Sequence, residues 1–115
     1  MKDMPSRIVD AMYRQIHSQG YAAPVDVLMD IGVLEKKKYD DWCAGRVPFL
    51  EAVCTANLHK LSEMMKEIRS YAARAGLKPS VSSYKHKGKP LRFSKTGNQK
   101  IEEAYATHYV MEEKG

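Results

Sequence analysis

Residues 48–76 read PFLEAVCTANLHKLSEMMKEIRSYAARAG, and this run decides the fold. Leu58, Leu61, Met65, Ile68, Ala72 and Ala75 step by three or four residues, the spacing that aligns side chains on one face of an α-helix. Cys54 continues the series backwards by four. Proline suits the first turn of a helix and Gly76 suits its end, so the widest reading is one helix from Pro48 to Ala75. At 1.5 Å per residue it would reach about 42 Å, longer than a small domain comfortably holds, so it must bend or protrude. Thr55 and Asn57 are poor helix formers, which makes Thr55-Ala56-Asn57 the place where a break can fall.

Three shorter helices are expected before it. Ile8, Val9, Met12, Tyr13 and Ile16 recur at helical spacing between Pro5 and Gly20. Pro24 opens a second segment in which Val25, Leu28, Met29 and Ile31 face inward, ending at Gly32. Glu35 to Ala44 forms a third, with Tyr39, Trp42 and Cys43 inward and Lys36, Lys37, Lys38, Asp40 and Asp41 toward water. The second and third, separated by Gly32-Val33-Leu34, have the dimensions of a helix-turn-helix.

Beyond Pro79 the period changes from helical to alternating. Val81, Ser83 and Lys85 alternate with Ser82, Tyr84 and His86; Lys87-Gly88-Lys89-Pro90 interrupts; Leu91-Arg92-Phe93-Ser94 alternates again. The expectation is a basic β-hairpin over about residues 80–95, with Leu91 and Phe93 buried and Arg92 and Ser94 facing water. Thr96-Gly97-Asn98 caps a final helix, in which Ile101, Ala104, Tyr105 and His108 share a face. The whole reads as a mainly α single domain over residues 1–115, about five helices with one long, and the hairpin before the last helix. At 115 residues, 43% hydrophobic and 29% charged, the composition is that of one ordinary globular domain.

The charge is unevenly spread. Residues 1–75 hold eleven Lys and Arg against ten Asp and Glu, whereas Lys78 to Lys100 holds seven cations and no acid. Such a block attracts phosphates. Within it Tyr84, Lys85, His86, Lys87, Lys89, Arg92 and Phe93 interleave cations with aromatics, the combination that holds a phosphate track and stacks bases. The nucleic-acid candidates are Tyr84, Lys85, Lys87, Lys89, Arg92 and Lys95. Charged edges that discourage strand-to-strand aggregation are the bland reading of the same residues.

Other chemistry is poorly represented. The chain has no glycine-rich phosphate loop, nucleophile elbow or HExxH pair, so no catalytic residue, metal ligand or cofactor is assigned. His59 and Glu63 read as a solvated pair one helical turn apart, and His108 as a half-buried, hydrogen-bonded histidine. Asp40 and Asp41 diverge around a helix and read as surface carboxylates. Cys43 and Cys54, eleven apart, lie outside the short spacing of redox or zinc pairs and are expected to be reduced core thiols.

The longest stretch without Asp, Glu, Lys or Arg, Gln15 to Val25, is eleven residues, too short for a membrane helix. The opening Met-Lys-Asp-Met-Pro-Ser-Arg lacks the apolar run of an export signal, so a cytoplasmic protein is expected. The favoured reading is a non-enzymatic nucleic-acid-binding or regulatory protein that meets DNA or RNA through the hairpin. Its rival is an interaction module that forms a homodimer through the long helix, whose seam exceeds what three short helices cover. A small enzyme with no recognisable site ranks third.

Overall fold

Asp3 accepts a hydrogen bond from the Ser6 amide at 3.0 Å and so caps the first helix, α1 (Met4–Gln19), in the computed structural model, which describes residues 3–111. Gly20, at φ 82°, ends it in the left-handed conformation that glycine adopts without strain. Ile8, Ala11, Met12 and Ile16 are buried as the spacing requires, but Tyr13 is 58% exposed and belongs to the wet face. The two-residue strand β1 (Tyr21–Ala22) leads into α2 (Pro24–Asp30), with Gln15 accepting from the Ala23 amide at the corner. Residues 31–35 then connect α2 to α3 (Lys36–Cys43), whose Trp42 is fully buried.

The long helix is broken at the expected place. A single 3₁₀ turn (Leu50–Val53) precedes four non-helical residues, and α4 (Leu58–Arg74) follows. The break has two physical causes. The Leu50 and Glu51 amides donate to the carbonyls of Arg92 and Phe93, and the Thr55 amide to that of Val33, so these donors are held by distant chain instead of by a helical ladder. Asn57 then accepts from the Lys60 amide at 2.9 Å and starts α4 afresh. Along α4, Leu61, Met65, Ile68 and Ala72 are buried, with α1 packed alongside; only the end members Leu58 and Ala75 are exposed. The surplus seam that favoured a homodimer is thus largely covered within the chain.

The largest departures lie in the last third. Strand β2 (Lys78–Val81) does not join the hairpin; it pairs antiparallel with β5 (Thr107–Val110), which also pairs with β1, giving the order β1-β5-β2. The hairpin proper is a separate, shorter pair, β3 (Lys85–His86) and β4 (Lys89–Pro90). Leu91 to Ser94 is not a strand, and Ser94 is 1% exposed instead of facing water. The final helix, α5 (Gln99–Ala106), stops before His108, which sits in β5 opposite Ser80. Thr107-His108-Tyr109-Val110 is β-branched and aromatic and lies between two strands, so sheet pairing prevails over the helical spacing. Among the described residues five helices and the 3₁₀ turn account for 55%, as a helix-rich reading expects, and two small antiparallel sheets make the fold mixed α/β rather than purely helical.

One aromatic cluster joins these parts. Trp42 packs against Tyr39, Tyr84 and Phe93, and Phe93 stacks on Tyr105, within a core that includes Ile8, Met12, Leu28 and Ile68. No helix among the described residues is long and apolar enough to cross a membrane.

Candidate nucleic-acid interface

The segment after the hairpin has no secondary structure, yet nearly every polar group in it is held. Glu102, one turn into α5, accepts from the Phe93 amide at 2.9 Å, the Ser94 amide at 2.6 Å and the Ser94 hydroxyl. Glu51, in the 3₁₀ turn, accepts from the Lys95 amide at 2.8 Å and the Tyr105 hydroxyl at 2.7 Å. The Trp42 indole donates to the Arg92 carbonyl at 2.8 Å. Two carboxylates and one indole therefore fix the loop together with the Leu50 and Glu51 amides that donate to its carbonyls. Burial first, and the Glu51 hydrogen bond second, push the Tyr105 phenol far above its usual range, so it stays a neutral donor.

The basic residues divide into three groups. Lys85, Lys87 and Lys89 are exposed on β3–β4, where Lys87 at φ 51° and Gly88 at φ 79° form the two-residue turn that matches strand twist. Lys95 is exposed on the pinned loop. Arg92 is exposed, as the alternation expects, and is folded back along that loop: its guanidinium donates to the carbonyls of Ser94 and Lys95 and lies over the Phe49 ring. Tyr84 is half-buried, its ring 5.6 Å from that of Trp42 and 5.3 Å from that of Phe93. These contacts, with an edge-type contact to His108, tie Tyr84 to the core cluster.

What the sequence left unconnected is the position of α3. His86 lies so close to Gly45, just past the end of α3, that a Cβ on Gly45 would be 3.0 Å from its ring. With Trp42 against Tyr84, this seats the hairpin beside α3. Lys37 and Lys38 are exposed in the first turn of that helix, while Lys36 pairs with Asp40 at 2.8 Å. Among the described residues, Lys37, Lys38, Lys85, Lys87 and Lys89 have no ion-pair partner.

Beneath the hairpin sits a titratable cluster. The Tyr84 hydroxyl and His108 Nε2 are hydrogen-bonded at 2.9 Å, and the His108 ring stacks on Tyr21 with centroids 5.2 Å apart. Asp26 on α2 faces His108. Burial lowers the His108 pKa against the opposing pull of Asp26, and burial raises that of Asp26. A histidine depressed in the folded state binds fewer protons there than in the unfolded chain, so its contribution to stability is lost as pH falls below about 6.5. Relief of the Asp26 burial cost acts in the opposite direction, in a more acidic window. Urea midpoints at about pH 7 and about pH 5 are expected to differ less for His108→Gln than for the wild type; equal differences would show that His108 does not contribute.

The remaining chemistry is inert. His59 and Glu63 pair at 2.8 Å on side chains 80% and 45% exposed, as the spacing suggests. No group of three or more His, Cys, Asp or Glu placed to hold a metal ion occurs among the described residues. Both cysteines are free, and burial pushes the Cys54 thiol up to about 12, far from a reactive thiolate. No sequence motif points to Glu51 and Glu102, the carboxylates that organise the loop. Compared with known proteins, the chain matches no family model, no curated protein and no solved structure.

Proposed function

We propose that the protein is a non-enzymatic nucleic-acid-binding protein that meets a double helix with α3 and the β3–β4 hairpin together. The observation that carries this reading is the seating of the hairpin beside α3, through His86 on Gly45 and Tyr84 on Trp42. The hairpin thereby meets the C-terminal end of α3, and Lys37 and Lys38 lie about 10 Å further along the same helix, toward its start. The helix pair α2–α3, joined by residues 31–35, has the dimensions of a helix-turn-helix, in which a second helix enters a groove while a flanking element contacts the phosphates. Here the flanking element is the tip at Lys87-Gly88. Lys95 extends the field from the adjoining loop, and Arg92 and Tyr84 serve the site by holding the hairpin arm.

The binding is electrostatic in the main. Lys37, Lys38, Lys85, Lys87 and Lys89 neutralising five phosphates give a log-log salt slope of about −4.5 on duplex DNA, so a fourfold rise in salt weakens binding about five-hundredfold. Filter binding with duplex DNA, single-stranded DNA and RNA at two salt concentrations tests this. Lys87→Asn with Lys89→Gln keeps a residue tolerant of positive φ at the turn and is expected to flatten the slope by about two, equally for every sequence. An unchanged slope would remove the hairpin from the interface. No detectable binding of the wild type at low salt would end the reading.

A further inference from the structure

A groove of about 820 Å³ runs between α4 and α5 and belongs to neither α3 nor the hairpin. Its walls are Leu58, Met65 and Ala73 on one side and Ile101 and Ala104 on the other, with Tyr109 among the lining residues. Leu58 and Ile101, two of the exposed large apolar side chains, both open into it, at 48% and 39% exposure. The space suits a small molecule and exceeds what any one of these side chains could close.

The unpaired donors decide what kind of molecule. Two cations line the groove, Arg69 from α4 and Lys100 from α5, and neither has an ion-pair or hydrogen-bond partner among the described residues. The carboxylates that also line it are committed: Glu51 to the Tyr105 hydroxyl and the Lys95 amide, Glu103 to the Gln99 amide nitrogen. The field of Arg69 reaches Tyr109, whose phenol it pulls down against the upward push of burial. The four charges of the lining balance, but the side chains among them without a hydrogen-bond partner are the two cations, so the charged groups open to a ligand are donors.

From this groove and its two unspent cations we infer a binding site for a small amphipathic anion, a carboxylate carried on an apolar chain or ring. The apolar body lies between α4 and α5, and the carboxylate meets Arg69 or Lys100. This inference is independent of the nucleic-acid reading, because it uses neither α3 nor the hairpin.

Decanoate, decanol and decyltrimethylammonium titrated into the full chain, with methyl NMR of Met65, Ala73 and Ala104, provide the test. Decanoate is expected to shift these methyls saturably and to bind about tenfold more tightly than decanol, with the cation weaker still. Arg69→Gln with Lys100→Gln, both exposed positions, is expected to erase the preference for decanoate and leave decanol binding unchanged. Ala73→Trp, which fills the groove from an exposed helix position, is expected to abolish binding of both. No saturable shift with decanoate overturns the inference, as does equal affinity for all three probes or a preference that survives the double replacement. Sedimentation showing a dimer that closes the groove and that decanoate does not dissociate overturns it in favour of a second copy.

Discussion

Glu102→Ala lowers the stability of the fold by about 3–5 kcal/mol and the melting temperature by about 12–20 °C, the largest effect expected from any surface-accessible carboxylate in the chain. The reason is the number of donors it leaves behind. The Phe93 amide, the Ser94 amide and the Ser94 hydroxyl all converge on this one carboxylate, and Phe93 and Ser94 are buried at 4% and 1% exposure. Each orphaned donor costs about 1–3 kcal/mol, because water cannot replace the lost acceptor. Glu102→Gln retains one carbonyl oxygen but turns an amide toward donors, so it falls between wild type and alanine. Glu103, next in the chain and exposed, is the control: its replacement by alanine stays within about 0.5 kcal/mol. Urea unfolding distinguishes these cases, and a Glu102→Ala variant within about 1 kcal/mol of wild type would show that the loop does not depend on the carboxylate.

Trp42→Ala is expected to cost a similar amount, about 3–5 kcal/mol, through a different mechanism. The indole is fully buried and touches the rings of Tyr39, Tyr84 and Phe93, so truncation opens a cavity where α3, the hairpin arm and α5 meet. Trp42→Phe separates packing from hydrogen bonding. It keeps a ring but removes one of the two hydrogen bonds that the Arg92 carbonyl accepts, the other coming from the Leu50 amide, for a loss of about 0.5–1.5 kcal/mol. Trp42 is the chain's single tryptophan, so its emission reports on this junction directly. Native emission is expected well to the blue of that in denaturant, and identical emission in the two states would place the indole in water.

The pattern of what the residues announce and what they conceal follows from the range of the forces involved. Local signals are reliable: Pro24 starts α2, Gly20 ends α1, Trp42 points inward, and Lys87-Gly88 makes the hairpin tip. Each depends on a residue and its near neighbours. His108 is different, because Ile101, Ala104 and Tyr105 carry a helical spacing right up to it, while the strands that claim it lie at residues 21–22 and 78–81. Nothing within a turn of His108 tells of either partner. The same holds for Leu50 and Glu51, whose amides are taken by Arg92 and Phe93 across more than forty residues, and a helical reading of Pro48 onward has no way to anticipate that. Ser94 is a polar residue at a position that alternation assigns to water, and it is buried only because Glu102 supplies its acceptor. As for the candidate site, the lysines are plain in the sequence as a charge block. Their company is not: the contact of His86 with Gly45 joins segments about forty residues apart, and the packing of Tyr84 against Trp42 and Phe93 ties the hairpin arm to the core.

The claim that α3 and the hairpin act as one surface is tested most directly by amide NMR of the full chain during titration with a short duplex at low salt. The account predicts that Lys37, Lys38, Gly45, His86 and Gly88 shift together, with one apparent affinity, and that all return as salt is raised. Shifts confined to α4 and α5, shifts of the hairpin without α3, or none at all under those conditions would contradict it.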